Sequence, residues 1–135
     1  MPMEVTNTAG STAYHNPFIG GPKQTVNLKI DVSTLTTAEV DAYGYLKPGV
    51  PFKSDGTIVS GSSQTIYGVS FEPVKLVGRT DNSSLSSDTN DIIIAVGVLG
   101  MLNRDIGEDN LGRAYSANEI AAFAAAGSMV KLSTT

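Results

Sequence analysis

Residues 26–59, VNLKIDVSTLTTAEVDAYGYLKPGVPFKSDGTIV, decide what kind of fold this chain adopts. The stretch begins with seven residues in which apolar and polar side chains alternate, as in a strand with one buried face. We therefore predict a strand over residues 24–33. Thr36 and Glu39 then have the spacing of a capping box, which predicts a short helical turn.

The second half of this stretch is divided by turn residues. Ser54, Asp55 and Gly56 predict a hairpin corner between extended pieces at 50–53 and 57–59. Pro51 lacks a backbone N–H, so the first of these pieces is expected at a sheet edge.

The middle of the chain predicts two further strands separated by a loop. Residues 66–77 form an apolar run that Gly68 and Pro73 interrupt, so one strand with a bulge near 72–73 is expected. Residues 79–91 are rich in Ser, Asn and Asp, which predicts an exposed loop. Residues 92–102, IIIAVGVLGML, lack strict alternation and predict a strand covered on both faces.

The C-terminal part predicts a loop, a helix and a final edge strand. The loop covers residues 103–113. Ser116 and Glu119 form a second capping box ahead of the sequence IAAFAAA, and Gly127 is expected to end this helix. An edge strand is predicted over 128–132. The predicted fold class is thus mainly β, with one short C-terminal helix.

Composition excludes several classes of function. The 135 residues suffice for one domain and include no cysteine, which excludes disulfides and thiolate sites. The net charge of −4 and the scattered basic residues argue against nucleic acid as a partner. The longest apolar run is about half of the roughly 20 residues that a membrane helix requires, so no membrane partner is expected.

No catalytic or metal-binding pattern is visible in the sequence. His15 is the single histidine, which excludes a Ser-His-Asp triad or a multi-histidine metal site within one chain. The acidic loops around 81–91 and 105–109 lack the EF-hand spacing, so their carboxylates are interpreted as solvated. The expectation is a protein without cofactor, metal or enzymatic activity.

The strand and turn of the opening stretch also carry a family resemblance. A TVxLDVS-like strand leads to a DGYxxxGxPL-like turn and strand, and this order resembles the lambda-type head decoration (capsid cement) proteins of tailed bacteriophages. The match covers most of residues 23–132 loosely, including 92–102 and 119–132, and departs from the family at Tyr43 and in the long loop 79–91. The matching residues are Thr25, Val26, Leu28, Asp31, Val32, Ser33, Tyr43, Gly44, Tyr45, Gly49, Pro51 and Phe52.

The resemblance implies a β-tulip-like domain at 23–135, commonly a homotrimer, whose partner is the major capsid protein. It also favours reading residues 1–22 as an extended arm that contacts the capsid, whereas composition alone favours a disordered tail. The apolar anchors of that arm would be Tyr14, Pro17, Phe18 and Ile19. Ile120, Phe123 and Ala124 on the predicted helix either pack in the core or form the oligomer interface.

The leading functional hypothesis is a non-enzymatic decoration protein, made in a bacterial host cytoplasm and located on the outer capsid surface of the virion. A phage tail or fibre component would share the Gly- and Ser-rich β composition. A carbohydrate- or calcium-binding module that uses the acidic loops is a further alternative.

Overall fold

A long central strand organises the fold. The structure is a computed structural model that describes residues 14–61 and 63–133. The chain is mainly β with a smaller helical part, as predicted. The strands are β1 (Gln24–Ile30), β2 (Tyr45–Leu46), β3 (Pro51–Phe52), β4 (Gly68–Ser70), β5 (Val74–Lys75), β6 (Ile92–Leu102) and β7 (Val130–Leu132), and the helices are α1 (Arg104–Leu111) and α2 (Ala117–Ala124).

The main sheet has the strand order β1-β6-β4-β3, and these neighbours are antiparallel. β7 joins the C-terminal end of β6 in parallel. β2 and β5 form a separate pair. Over the described residues the main sheet is an open path and not a closed barrel.

β1 begins where the sequence predicts and ends earlier. Leu28 and Ile30 are buried opposite Ile94 and Ile92 of β6. The strand stops at Ile30 because the side chain of Asp31 accepts a hydrogen bond from the Ser33 N–H and caps a 3-10 turn at Val32–Thr34.

Both predicted turns of the opening stretch are present. The Thr36 N–H donates to Glu39 Oε1 at 2.8 Å, which is one half of a capping box. The Thr36 hydroxyl accepts from the Ala38 N–H at 3.1 Å, whereas the Glu39 N–H donates to the Thr36 carbonyl. In the second turn the Lys53 N–H donates to the Thr57 carbonyl at 2.8 Å. β3 lies at an end of the main sheet, as expected for a strand that starts with proline.

The prediction of one bulged strand over residues 66–77 is wrong. β4 belongs to the main sheet, whereas β5 pairs with β2 in the other sheet. The chain leaves the main sheet at Phe71–Pro73, since proline cannot donate to a continuing ladder. The interruption is therefore a change of sheet and not a bulge.

The segment 79–91 is only partly the exposed loop that its composition predicts. Leu85 is buried within a 3-10 turn at Leu85–Ser87. Asp88 is also buried and accepts a hydrogen bond from Arg79 at 2.8 Å, while the Asn82 side chain donates to the Val40 carbonyl. These long-range contacts attach the segment to the domain.

The strand predicted at 92–102 is confirmed at its full length, but the prediction that both faces are covered is wrong. Ile92, Ile94 and Val96 are buried in the core. Ile93 is 69% exposed, and Leu99 and Met101 are also exposed. β6 therefore presents apolar side chains to solvent.

The single-helix prediction is also wrong, because residues 104–111 form α1. Asn103 accepts a hydrogen bond from the Ile106 N–H and caps its start, and Gly112 ends it with φ at +73°. Gly107 lowers the intrinsic helix propensity of this polar sequence. Tyr115 packs so closely against Gly107 that a Cβ at that position would collide with its ring and hydroxyl, so tertiary packing explains the glycine.

The start of the predicted C-terminal helix is confirmed and its end is not. Ser116 and Glu119 form both hydrogen bonds of the capping box. α2 ends at Ala124, and the extended Ala125, not Gly127, is its C-cap. The edge strand predicted at 128–132 is present as β7.

Candidate interaction surface

The part of the predicted arm that the structure describes lies against the domain. The N-terminal segment, residues 14–19, runs antiparallel to the end of β6. The Ile19 N–H donates to the Met101 carbonyl at 2.9 Å, and the Asn103 N–H donates to the Pro17 carbonyl at 2.7 Å. Residues 14–19 therefore pack against their own domain, the predicted contact of the arm with a capsid stays a prediction, and residues 1–13 lie outside the described part of the chain.

Phe18 fills a pocket that glycines create. A Cβ on Gly97 would lie 2.5 Å from the Phe18 ring, and one on Gly100 would lie 3.1 Å from it. Pro22 also borders this space, and Phe71 contacts the ring edge to face with centroids 6.5 Å apart. We call these four residues the Phe18 pocket. The ring is 4% exposed, so it belongs to the core of its own domain.

The other three predicted anchors differ in exposure. Pro17 is buried, Tyr14 is half-buried and Ile19 is 51% exposed. The Tyr14 hydroxyl donates to Asp41 Oδ2 at 2.8 Å. Contact of these residues with a capsid protein stays a prediction, and Phe18 can take part only if its ring leaves the pocket.

The three predicted interface residues of α2 also differ in their exposure to solvent. Phe123 is buried and meets Tyr115 edge to face at 5.4 Å, so it is a core residue. Ile120 is half-buried and Ala124 is exposed. Both line a groove of about 220 Å³ beside Leu132, which leaves them accessible to a second subunit.

The exposed apolar surface around the end of β6 was not predicted from the sequence. Ile19 and Met101 are neighbours across the antiparallel pairing, and Leu99, Met129 and Tyr67 border one shallow cavity of about 370 Å³. Each of the five is at least 37% exposed. We call Ile19, Tyr67, Leu99, Met101 and Met129 the apolar patch. Its residues come from four separate segments, so no local pattern reveals it.

The charge around the apolar patch differs from that of the whole chain. The described strands β1, β6 and β7 contain two lysines and no acidic residue. Lys131 lies beside Met101 in the parallel pairing and donates to the Ala125 carbonyl at 3.0 Å. The Lys23 N–H donates to the Leu99 carbonyl. These three strands thus bring no acidic side chain to the apolar patch.

Arg113 connects two elements through a partly buried ion-pair network. Its two terminal guanidinium nitrogens donate to Glu119 at 2.8 and 3.1 Å, and one of them also donates to Glu39 at 3.2 Å. These hydrogen bonds, chiefly those to Glu119, raise the pKa of Arg113. Burial, reinforced by the charge of Glu119, raises the pKa of Tyr115, whose hydroxyl donates to the Gly49 carbonyl at 2.6 Å. The network holds α2 against the turn at residues 36–40.

Asp81, Asp88 and Glu108 of the predicted acidic loops bond to neighbouring groups of the domain, while Asp91, Asp105 and Asp109 are exposed. Asp81 accepts hydrogen bonds from the Ser83 N–H and hydroxyl, which lower its pKa, and Asp88 is paired with Arg79. Burial tends to raise the pKa of Glu108, but hydrogen bonds from the Tyr115 N–H and Arg104 outweigh it and hold that pKa below its usual value. Over the described residues, no three His, Asp or Glu side chains are grouped so that they could bind a metal ion.

A polar cleft of about 470 Å³ lies between the N-terminal segment and the C-terminal end of α1. Asn110 donates to the His15 carbonyl at 2.7 Å and accepts from its N–H at 3.2 Å. Lys47 donates to the Leu111 carbonyl, and burial lowers its pKa against the opposing effect of nearby Asp41 and Glu39. These contacts fix the start of the N-terminal segment to the domain.

No protein-family model, no curated protein and no solved structure matches this chain. Within the described residues, no helix combines the length and the apolar character that crossing a bilayer would require.

Proposed function

We propose that this chain is a structural virion protein that binds the outer surface of an expanded phage capsid and stabilises it. The apolar patch carries the proposal. Clustered apolar side chains exposed on a small protein mark interaction surfaces, because their burial against a partner removes them from water. The family resemblance of residues 25–52 supports the choice of a capsid as that partner.

The stabilising effect needs no catalytic group. A protein that binds the expanded shell and not its precursor shifts the equilibrium toward the expanded state by mass action. Many equivalent contacts on a symmetric shell then combine. The finer parts of the proposal are a β-tulip-like domain and a homotrimer, whose interface would include Ile120 and Ala124 of α2 beside their groove.

Co-sedimentation with expanded, undecorated phage capsids tests the proposal. The full chain should bind to saturation, and both Met101→Asp and Met129→Asp should weaken binding by roughly a hundredfold or more, since an unpaired carboxylate would be buried in the contact. Val77→Asp is the matched control, because Val77 is 56% exposed and lies outside the apolar patch. Circular dichroism and melting of each variant verify that it folds.

Failure of the full chain to bind, where a known decoration protein binds its own shell, would contradict the proposal. Self-assembly into tubes or fibres, seen by electron microscopy, would then favour the tail or fibre alternative. A rise in Tm with calcium or a sugar would favour the ligand-binding module.

A further inference from the structure

The N-terminal segment is joined to β1 by a short turn that contains Gly20 and Gly21. The Gly21 N–H donates to the Phe18 carbonyl at 3.1 Å and closes the turn. Gly20 and Gly21 have φ of +71° and +80°, and a Cβ on either glycine would meet nothing within 4 Å. The turn therefore depends on backbone conformations that glycine favours, and not on side-chain packing.

The N-terminal segment and β1 make different sets of contacts with the rest of the domain. They consist of the backbone hydrogen bonds to Met101 and Asn103, the side-chain contacts of Tyr14 and the backbone contacts of His15, and the Phe18 ring in its pocket. A segment that binds mainly by strand pairing and one aromatic anchor can bind the same groups on another molecule.

We propose that the N-terminal segment exchanges between copies of this chain, so that Phe18 of one copy occupies the Phe18 pocket of a second. The fit supports Phe18 of a second copy as the occupant, because Gly97 and Gly100 leave space that this ring fills. With the turn opened, the four residue steps from Pro22 to Phe18 span at most about 14 Å. Exchange preserves the contacts between the segment and the domain and loses only the hydrogen bond that closes the turn, which makes it a low-cost route to association.

The apolar patch adds a reason for the copies to stay together. Ile19 moves with the segment, whereas Met101 and Leu99 stay on the receiving molecule beside its pocket. Exchange therefore places Ile19 of one copy beside Met101 of the other and brings the two patches close together. Exchange between copies involves this protein alone and does not depend on capsid binding.

The absence of cysteine from the sequence allows a direct test. Ile19→Cys and Met101→Cys are made in separate chains, mixed, annealed by warming and cooling, and mildly oxidised. Any disulfide between positions 19 and 101 then joins two molecules, and mass spectrometry of peptides identifies it. A chain that carries both substitutions shows that the paired positions can form the bond.

We expect the 19–101 link to exceed the links between Met101→Cys and a Val77→Cys chain, which report random collision. Phe18→Ala should reduce the 19–101 link. Changing both Gly20 and Gly21 to Ala should raise it, because each positive φ in the closed turn then disfavours that form by roughly 5- to 30-fold. Gly61→Ala, at a glycine whose added Cβ makes only ordinary contact, should leave it unchanged.

A 19–101 link no more frequent than the Val77 control, together with no increase in the double alanine variant, would overturn the proposal. Sedimentation velocity of the annealed double alanine variant gives an independent readout. A larger species than the unannealed protein forms is expected, and an unchanged distribution would also count against exchange. Circular dichroism verifies that each variant is folded.

Discussion

Replacing Phe18 by alanine tests whether the N-terminal segment is part of the cooperative domain. The ring is 4% exposed, and it contacts Phe71 and the backbone at Gly97 and Gly100. Truncating a buried phenylalanine typically costs 3–5 kcal/mol. The site lies at the margin of the sheet and the segment can relax, so we take the lower end, about 3 kcal/mol.

The size of this loss has an upper limit set by the segment itself. If the segment can detach while the rest stays folded, the variant loses no more than the free energy with which the segment binds. For 135 residues, a loss of about 3 kcal/mol should lower Tm by roughly 10 °C. Chemical denaturation, followed by circular dichroism, measures the free energy of unfolding.

Ile19→Ala is the matched control, because the neighbouring Ile19 is 51% exposed. It should cost no more than about 1 kcal/mol. Equal small losses for the two variants, with fast hydrogen exchange at the Ile19 and Asn103 amides, would refute the assignment of Phe18 to the core. Residues 14–19 would then be an independent arm.

Two further predictions concern buried polar contacts. Ser128→Ala should destabilise by about 1–3 kcal/mol in urea denaturation, since it leaves the buried Ile66 N–H unpaired, while the Ala122 carbonyl keeps its hydrogen bond from the Ala125 N–H; the exposed Ser87→Ala is its control, and a loss below about 0.5 kcal/mol would contradict the reasoning. Arg113→Met should cost about 3–5 kcal/mol at pH 7, because Glu39 and Glu119 lose their cation while buried. Arg104→Met, at a more exposed pair, should cost less than about 1 kcal/mol; equal losses for the two arginine variants would contradict the reasoning.

Local patterns were sufficient for elements that depend on neighbouring residues. The alternation in β1, the turn that begins at Thr36, the capping box at Ser116 and the long apolar strand β6 are all read correctly. At Thr36 and Ser116 a side chain bonds a backbone group within a few residues, and in the two strands the local run of β-branched and apolar residues favours an extended backbone. The mainly β class follows from these elements.

Local patterns failed where distant residues decide the outcome. α1 has a polar, glycine-containing sequence, and it forms where Tyr115 packs against Gly107. The run at 66–77 divides between two sheets because β4 pairs with β6 and β5 pairs with β2. The segment 79–91 is held by the pairing of Arg79 with Asp88 and by the burial of Leu85.

The sequence by itself determined the mainly β class, the absence of cysteine chemistry, the net negative charge and the positions of the main turns. Only the tertiary structure decided that Phe18 enters the core and that five separate apolar side chains form one patch. Composition and local periodicity specify which backbone conformations are favourable. Which apolar side chains are buried depends instead on the pairing of strands distant in sequence, and here the pairing of residues 17–30 with β6 covers Phe18 and leaves Met101 exposed.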